Sequence, residues 1–537
     1  MKQAYSNTIL NQTPRLLSLI DRNPYSPTYG CFDRSYWHSQ LTDFPSARFQ
    51  EACLTLALLY KYQYPKNIYY QNPKIKQWAV AAIKYWQKIQ STNGSFNEWY
   101  PNEHSFVATS FTLYAVTETC LLLNLKSTSF INSIKKSANW LINQTEILVS
   151  NQQAGATMTL YNVFLLTKQK KYLKAAKTKL IQLIKIQSAE GWFPEYGGAD
   201  IGYSSVLLDY LAKYYQKSKD KQALAIITKL LNFLQYFVHP NQTAGGSYGS
   251  RNTEYLLPHG LEIMAKKNQT AAAISHSLLK HLSQYQLNLD DRYLCYNSYV
   301  FLQAYHHYSS QKQSSLPLNK SFDKYFKTAG IFIKSTPKYY AIINLKKGGT
   351  IRVYSKKNQK LIFQSSGIIG RLSNNQIVSS QWIDHNYQIK ITQNKHKTHL
   401  SVTGQLHQVS SVTFSPLTMI LSRLFQLSLG RSPSISLSLK KLLRNKLILK
   451  SKTIPVKFTQ QFNFNKAALQ LTTKLKIQTS LQFKSLSFNH QFSLIYVPST
   501  RYFHPQELEF KTSRLSKNLI TSLNQSKQLS LKQNIKI

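Results

Sequence analysis

Between residues 46 and 309, apolar side chains recur every three or four positions, the spacing that gives a helix one buried face. The pattern predicts helices over 52–60, 78–89, 106–123, 130–142, 160–166, 172–186, 206–215, 223–237 and 296–308. Short polar breaks separate them, so successive helices should run antiparallel. Beyond residue 320 the rhythm changes. Stretches at 339–345, 350–354, 387–392, 399–403, 457–463, 469–477 and 481–488 are rich in β-branched and aromatic residues, and several alternate apolar with polar. So many short strands in the last third of the chain predict a β-sandwich.

The breaks between helices repeat. Gln90-Ser-Thr-Asn-Gly94-Ser-Phe96-Asn-Glu98 matches Gln187-Ser-Ala-Glu-Gly191-Trp-Phe193-Pro-Glu195, and His239 to Tyr248, with Gly245, is a looser third member. In each a helix ends, a glycine permits a tight turn, and an aromatic residue follows. Recurring helix–loop–helix units imply a solenoid or a ring of hairpins. The Gln-x-x-x-Gly-x-aromatic turn resembles the repeat of squalene cyclases and protein prenyltransferases, both α/α toroids. The expected fold class is α+β and multidomain. An N-terminal α/α toroid, an incomplete ring of helical hairpins, spans 1–318. An antiparallel β-sandwich spans 319–514, with a short helical insertion near 417–446, and 515–537 is a polar, frayed tail. A toroid followed by a β-sandwich resembles the heparinase II/III-like proteins and related polysaccharide lyases. The run from Ala329 to Ile333, then Tyr340-Ala341-x-Ile343-Asn344 and Gly348-Gly349, is similar to the opening of their β domain.

Composition adds a charge argument. Lys and Arg number 67 against 21 acidic residues, a net charge of +46, which favours polyanionic partners: nucleic acid, anionic lipid or an acidic polysaccharide. The basic residues are spread along the chain, so no dedicated nucleic-acid module is expected. The four cysteines, Cys31, Cys53, Cys120 and Cys295, are far apart, which suggests free thiols and neither disulfide nor zinc site. Residues 1–23 are polar and broken by Pro14, unlike a secretory signal, and no stretch reads as a transmembrane helix. A cytoplasmic location is the expectation. The insertion at 417–429, apolar and followed by Lys440, Lys441, Arg444 and Lys446, either packs on the toroid or makes peripheral membrane contact.

Of the 21 acidic residues, 18 precede residue 331, so carboxylate chemistry belongs to the toroid. Some of these acids must cap helices; Asp43 and Glu103 are placed for it. Four loops combine the right groups for sugar binding: Asp33, Arg34, Trp37 and His38; Asn97, Glu98, Tyr100, Asn102 and His104; Glu195, Asp200 and Tyr203; and Arg251, Asn252, Glu254 and Tyr255. In a ring of hairpins, loops at one end share a cleft. A lyase acting on a uronic acid must neutralise the sugar carboxylate, take the C5 proton and protonate the departing oxygen. The resemblance to toroid lyases implies Asn, His, Tyr and Arg for these tasks, and His104, Tyr203, Arg251 and Tyr255 are the catalytic candidates. The remaining residues of the four loops are candidates for binding substrate. His385 is the nearest candidate for a histidine from the β domain. Each has a plain alternative; Arg251 could simply pair with Glu254.

The favoured function is a polysaccharide lyase-like enzyme, or a uronate epimerase, on an anionic polysaccharide or oligosaccharide. A non-catalytic glycan-binding protein and a glycoside hydrolase using Glu98, Glu195, Asp200 or Glu254 remain open. No metal and no cofactor is expected. An Asp-x-Asp-Asp cluster, a zinc set and a phosphate-binding loop are all missing from the sequence.

Overall fold

A computed structural model describes residues 1–394, 397–409, 415–444, 451–465, 468–488 and 513–536. The first helices are α1 (Gln3–Leu10), α2 (Thr13–Leu19), α3 (Arg34–Trp37), α4 (Ala52–Lys61), α5 (Pro73–Lys88), α6 (Phe106–Leu123) and α7 (Thr128–Ile142). They are followed by α8 (Ser150–Thr167), α9 (Lys170–Ile186), α10 (Ile201–Ser218), α11 (Lys221–Leu234), α12 (Pro258–Ala265), α13 (Gln269–Gln284) and α14 (Asp291–His307). The even-numbered helices from α4 to α14 pack in a cycle, each on the next and α14 back on α4. The odd-numbered partners α5 to α13 lie outside them. Composition sorts the two layers. Helix α6 is apolar on all sides and buried from Ala108 to Val116, as an inner helix must be, whereas α5, α9 and α11 alternate buried apolar with exposed lysine or polar positions. By length and composition alone α6 could cross a membrane, contrary to the expectation that no stretch would; 72% of it is buried in the ring.

The toroid of helical hairpins and the antiparallel sheets are as the sequence predicts. The segment expected to be a polar terminus instead forms α1 and α2 and braces the ring from outside. It packs against α13 and α14, and Tyr5 donates a 2.7 Å hydrogen bond to Glu262 of α12. Pro14 does not break the segment. It sits in the first turn of α2, where the missing N–H costs nothing.

The repeated turns share one geometry. Ser91 N–H donates to Ser95 O and Gly94 N–H to Ser91 O; Ser188, Trp192 and Gly191 repeat this pattern. Gly94 and Gly191 have φ of +91° and +98°, and a Cβ there would lie 2.5 and 2.2 Å from the carbonyl oxygens of Lys136 and Lys229. The third turn has the same hydrogen bonds from His239 to Thr243, so Gln242 at φ +66°, not Gly245, occupies the equivalent position.

The β region begins with a five-stranded antiparallel sheet of β1 (Phe322–Phe326), β2 (Ile331–Ser335), β3 (Tyr339–Asn344), β4 (Thr350–Ser355) and β5 (Lys360–Ser365) in sequential order. Every residue of β3 is buried, because both faces are covered. Tyr340 and Ile342 pack with the toroid core, and Tyr339, Ala341 and Ile343 with the second sheet. That sheet contains β6 (Ile369–Leu372), β7 (Ile377–Ser379), β8 (Gln388–Asn394), β9 (Lys397–Val409), β10 (Thr453–Phe464), β11 (Ala468–Ile477), β12 (Phe483–Phe488), β13 (Ser513–Arg514) and β14 (Gln528–Lys536).

Between β9 and β10 the insertion forms a hairpin of α15 (Pro416–Leu427) and α16 (Pro433–Arg444), and it docks on the toroid. Lys446, Glu507 and Glu509 lie outside the described residues. The expected frayed tail is instead α17 (Lys517–Ser526) followed by β14, which pairs along β11 from Gln528 to Lys536. Leu529, Leu531 and Ile535 alternate with polar residues and turn one face to the core, a strand pattern hidden by the Ser/Gln/Lys content.

Candidate active site

The inner helices run parallel, and their N-terminal ends open into a cleft of about 610 Å³. Arg48 and Glu51 come from the 3-10 turn before α4, and Glu98 and Trp99 from the loop before α6. Asn151 lies in the first turn of α8, Glu195 and Tyr196 precede α10, and Tyr203 and Asp209 lie on α10. Arg251 and Tyr255 precede α12, Asp290 caps α14, and Arg292, Tyr293, Tyr296, Asn297 and Tyr299 follow on that helix. The partial positive charge of parallel helix starts adds to the attraction for an anion.

Arg48 is fully committed. It pairs with Glu51, lies 3.8 Å from Glu98, and stacks 4.0 Å from the ring centre of Tyr296. Arg251 and Arg292 are not. Arg251 rests 4.6 Å from the centre of the Tyr196 ring and Arg292 4.1 Å from that of Trp99, and neither forms an ion pair among the described residues. The buried Nε of Arg251 has no hydrogen-bond partner among them either. Glu254, the alternative partner for Arg251, pairs instead with Arg352 on β4.

Glu195 is buried. Its Oε2 accepts from Asn151 Nδ2 at 2.8 Å, while Oε1 has no hydrogen-bond partner among the described residues. Burial, then the charge of Asp200, pushes its carboxyl well above the usual range, against the pull of Asn151 and Arg251. Burial likewise raises Glu98, and raises Glu51 to about 7. The Tyr203 phenol is pushed well above its ordinary value by burial and by Tyr293, Tyr255 and Glu195, which keeps its proton on. Tyr203 and Tyr255 meet edge to face, ring centres 6.5 Å apart.

Of the candidates from the sequence, Tyr203, Arg251, Tyr255, Glu98 and Glu195 line this cleft; the others do not. Asp200 caps α10 and braces the loop that carries Arg251, accepting from the N–H groups of Tyr203 and Arg251 at 3.2 and 2.8 Å. His104 is tied into the repeated turn, its Nδ1 2.7 Å from Ser95 Oγ, and burial lowers its pKa. Asn97 accepts from His104 N–H, and Asn102 is held by the hairpin through Gln426 O, 2.9 Å away. Tyr100 is half-buried. Asn252 accepts from Lys347, and His385 lies exposed, 3.2 Å from Gly197 O. Asp33 accepts from Ser46 N–H, Trp37 donates to Leu19 O, and Arg34 and His38 are exposed. Glu103 is no helix cap; its Oε2 accepts from the N–H groups of Glu98 and Trp99 at 2.8 and 2.7 Å and so fixes two lining residues.

The sequence reading missed Asn151, Arg48, Glu51 and the α14 group. The last had a signal: Asp290, Tyr293 and Asn297 recur at helical spacing with Arg292 and Tyr296 on a helix start.

No protein-family model matches the sequence, and comparison with curated proteins gives no match. Solved structures do match in fold. The chondroitin AC lyase of Streptomyces coelicolor A3, solved with chondroitin sulphate, superposes with a TM-score of 0.56 at 8% identity, over 91% of this chain and 68% of that one. A Paenibacillus xanthan lyase gives 0.50 at 10% identity, over 90% of this chain but only 46% of that one. The chain therefore has the polysaccharide lyase-like fold, an α/α toroid joined to an antiparallel β domain.

Proposed function

We propose that this protein is a polysaccharide lyase that takes a uronate-containing glycan into the toroid cleft. The observation that carries the reading is the pair of arginines, Arg251 and Arg292, that face the cleft without carboxylate partners among the described residues. A partly buried guanidinium is normally neutralised, and its planar fork matches a carboxylate. In this reading Arg251 and Arg292, aided by Asn151, neutralise the sugar carboxylate and so acidify the C5–H bond. Glu195, whose raised pKa makes its carboxylate a stronger base, takes that proton through Oε1, the oxygen that accepts no hydrogen bond among the described residues. The C4–O bond breaks as the C4=C5 double bond forms, and Tyr203 gives its proton to the leaving oxygen. No histidine lines the cleft among the described residues, so Glu195 stands where the resemblance implied one.

A second reading, glycoside hydrolysis, is favoured by Glu98 and Glu195 both being buried, raised carboxyls in one cleft. A panel of acidic polysaccharides separates the readings. Lyase action yields unsaturated uronate, seen by its ultraviolet absorbance, and its rate climbs as pH rises through the Glu195 pKa. Hydrolysis with Glu195 as acid yields reducing ends without that absorbance and slows over the same range. Retention of glycan with neither product would identify a non-catalytic binder and sink the lyase proposal.

A further inference from the structure

The α15–α16 hairpin turns its polar side chains inward and its apolar ones to solvent. On the ring side, Arg423 pairs with Asp43 at 2.6 Å, Ser436 Oγ donates to Asn102 O at 2.8 Å, and Lys440 pairs with Glu103 at 2.6 Å. On the other side Leu417, Ile420, Leu421 and Leu424 stand at i, i+3, i+4 and i+7, the stripe a soluble helix would bury. They are 65%, 57%, 56% and 60% exposed. Leu429 in the turn and Leu442 on α16 are 61% and 58% exposed. Single exposed leucines are ordinary; a continuous stripe marks a surface that something covers.

Charge selects the occupant. No acidic residue occurs between Asp384 and Glu507, and the chain carries +46 overall. Arg431 and Lys441 are exposed on the hairpin and form no ion pair among the described residues. We propose that the hairpin docks on an anionic lipid surface, with the leucine stripe entering the acyl boundary and Arg431 and Lys441 meeting headgroup phosphates. The docked element would also reach the cleft. Glu103, which holds Lys440 through one oxygen, holds the backbone of Glu98 and Trp99 through the other. A lipid-bound hairpin therefore keeps the cleft mouth beside the bilayer, where a surface-held glycan would be presented.

The test is flotation of the full chain with vesicles of phosphatidylglycerol and phosphatidylcholine, against phosphatidylcholine alone, at low and high salt. Binding should be roughly tenfold stronger to the anionic vesicles and should weaken with salt. The triple variant Leu417→Asn, Leu421→Asn, Leu424→Asn should lose about tenfold or more in partitioning with an unchanged melting temperature. Arg431→Glu with Lys441→Glu, which leaves the apolar stripe intact, should remove the preference for anionic lipid. The proposal is overturned if the native chain binds no vesicle or if the triple variant binds as well as the native chain. It is equally overturned if the native chain is a dimer that the triple variant converts to monomer, since the stripe would then belong to a second copy. None of these readouts involves glycan, so they stand or fall apart from the lyase reading.

Discussion

Replacing Arg251 by Met should separate stability from ligand binding. The side chain makes no ion pair among the described residues, its Nε is unpartnered, and it rests on the Tyr196 ring at 4.6 Å. A cation–π contact of this kind is worth about 0.5–1 kcal/mol, and removing a partly desolvated charge offsets some of that. Methionine retains the aliphatic packing, so unfolding free energy should change by no more than about 1 kcal/mol. Binding should respond differently. A charge-assisted hydrogen bond to a carboxylate contributes about 1.5–3 kcal/mol, so affinity for a uronate oligosaccharide should fall roughly 10- to 150-fold. Arg251 also pulls the Glu195 pKa down, so the acid limb of any pH–rate profile should move to higher pH in the variant. Denaturant titration and isothermal calorimetry on the same samples measure both quantities. Destabilisation beyond about 2 kcal/mol with unchanged glycan affinity would refute the reasoning, because Arg251 would then be a structural cation.

Gly191→Ala should destabilise by about 3 kcal/mol or more, since its Cβ would lie 2.2 Å from Lys229 O, whereas Gly197→Ala, with φ +88° but open space, should cost only about 1 kcal/mol by urea melts. Glu103→Ala removes the acceptor for two backbone N–H groups and the partner of Lys440; a loss of about 2–4 kcal/mol and greater proteolysis near residue 99 are expected. Glu51 has a folded pKa of about 7, above its unfolded value. Its stabilising contribution is thus complete below about pH 4.5 and lost as pH rises through about 7, so the stability difference between wild type and Glu51→Gln should shift in the variant's favour over that window. A difference that does not change with pH would show that Glu51 stays ionised beside Arg48.

The fold was largely legible because helical and strand periodicity survive burial. The helices α1 and α2 were not, since they bury short mixed stretches and Pro14 reads as a breaker until its first-turn position is known. Helix α8 was read only from residue 160; its first half, Ser150 to Thr157, is polar or small yet mostly buried at the ring axis, so no apolar face marked Asn151. Among the loops, residue chemistry alone could not distinguish Glu195, whose Oε1 accepts no hydrogen bond among the described residues, from Asp200, which is spent on capping and bracing. The two differ in partners distant in sequence, Asn151 for Glu195 and the Arg251 N–H for Asp200.

The β region contributes no lining residue to the cleft among those described, yet it holds the loop that carries Arg251. Lys347, which follows β3, donates to Ser247 O at 2.8 Å, to Gly249 O at 2.6 Å and to Asn252 Oδ1. Asn344 donates to Tyr248 O at 2.7 Å, and Arg352 pairs with Glu254 and donates to Gly245 O at 3.3 Å. From Gly245 to Glu254 the loop is irregular and carries Asn252 at φ +59°, so its shape is set by these bonds and not by helix or sheet. Burial lowers the Lys347 pKa to about 7, and its carbonyl partners are what hold it in place. The sheet domain is thus the template for the loop between α11 and α12 that carries Arg251, and a toroid expressed alone would keep its ring but lose the position of Arg251.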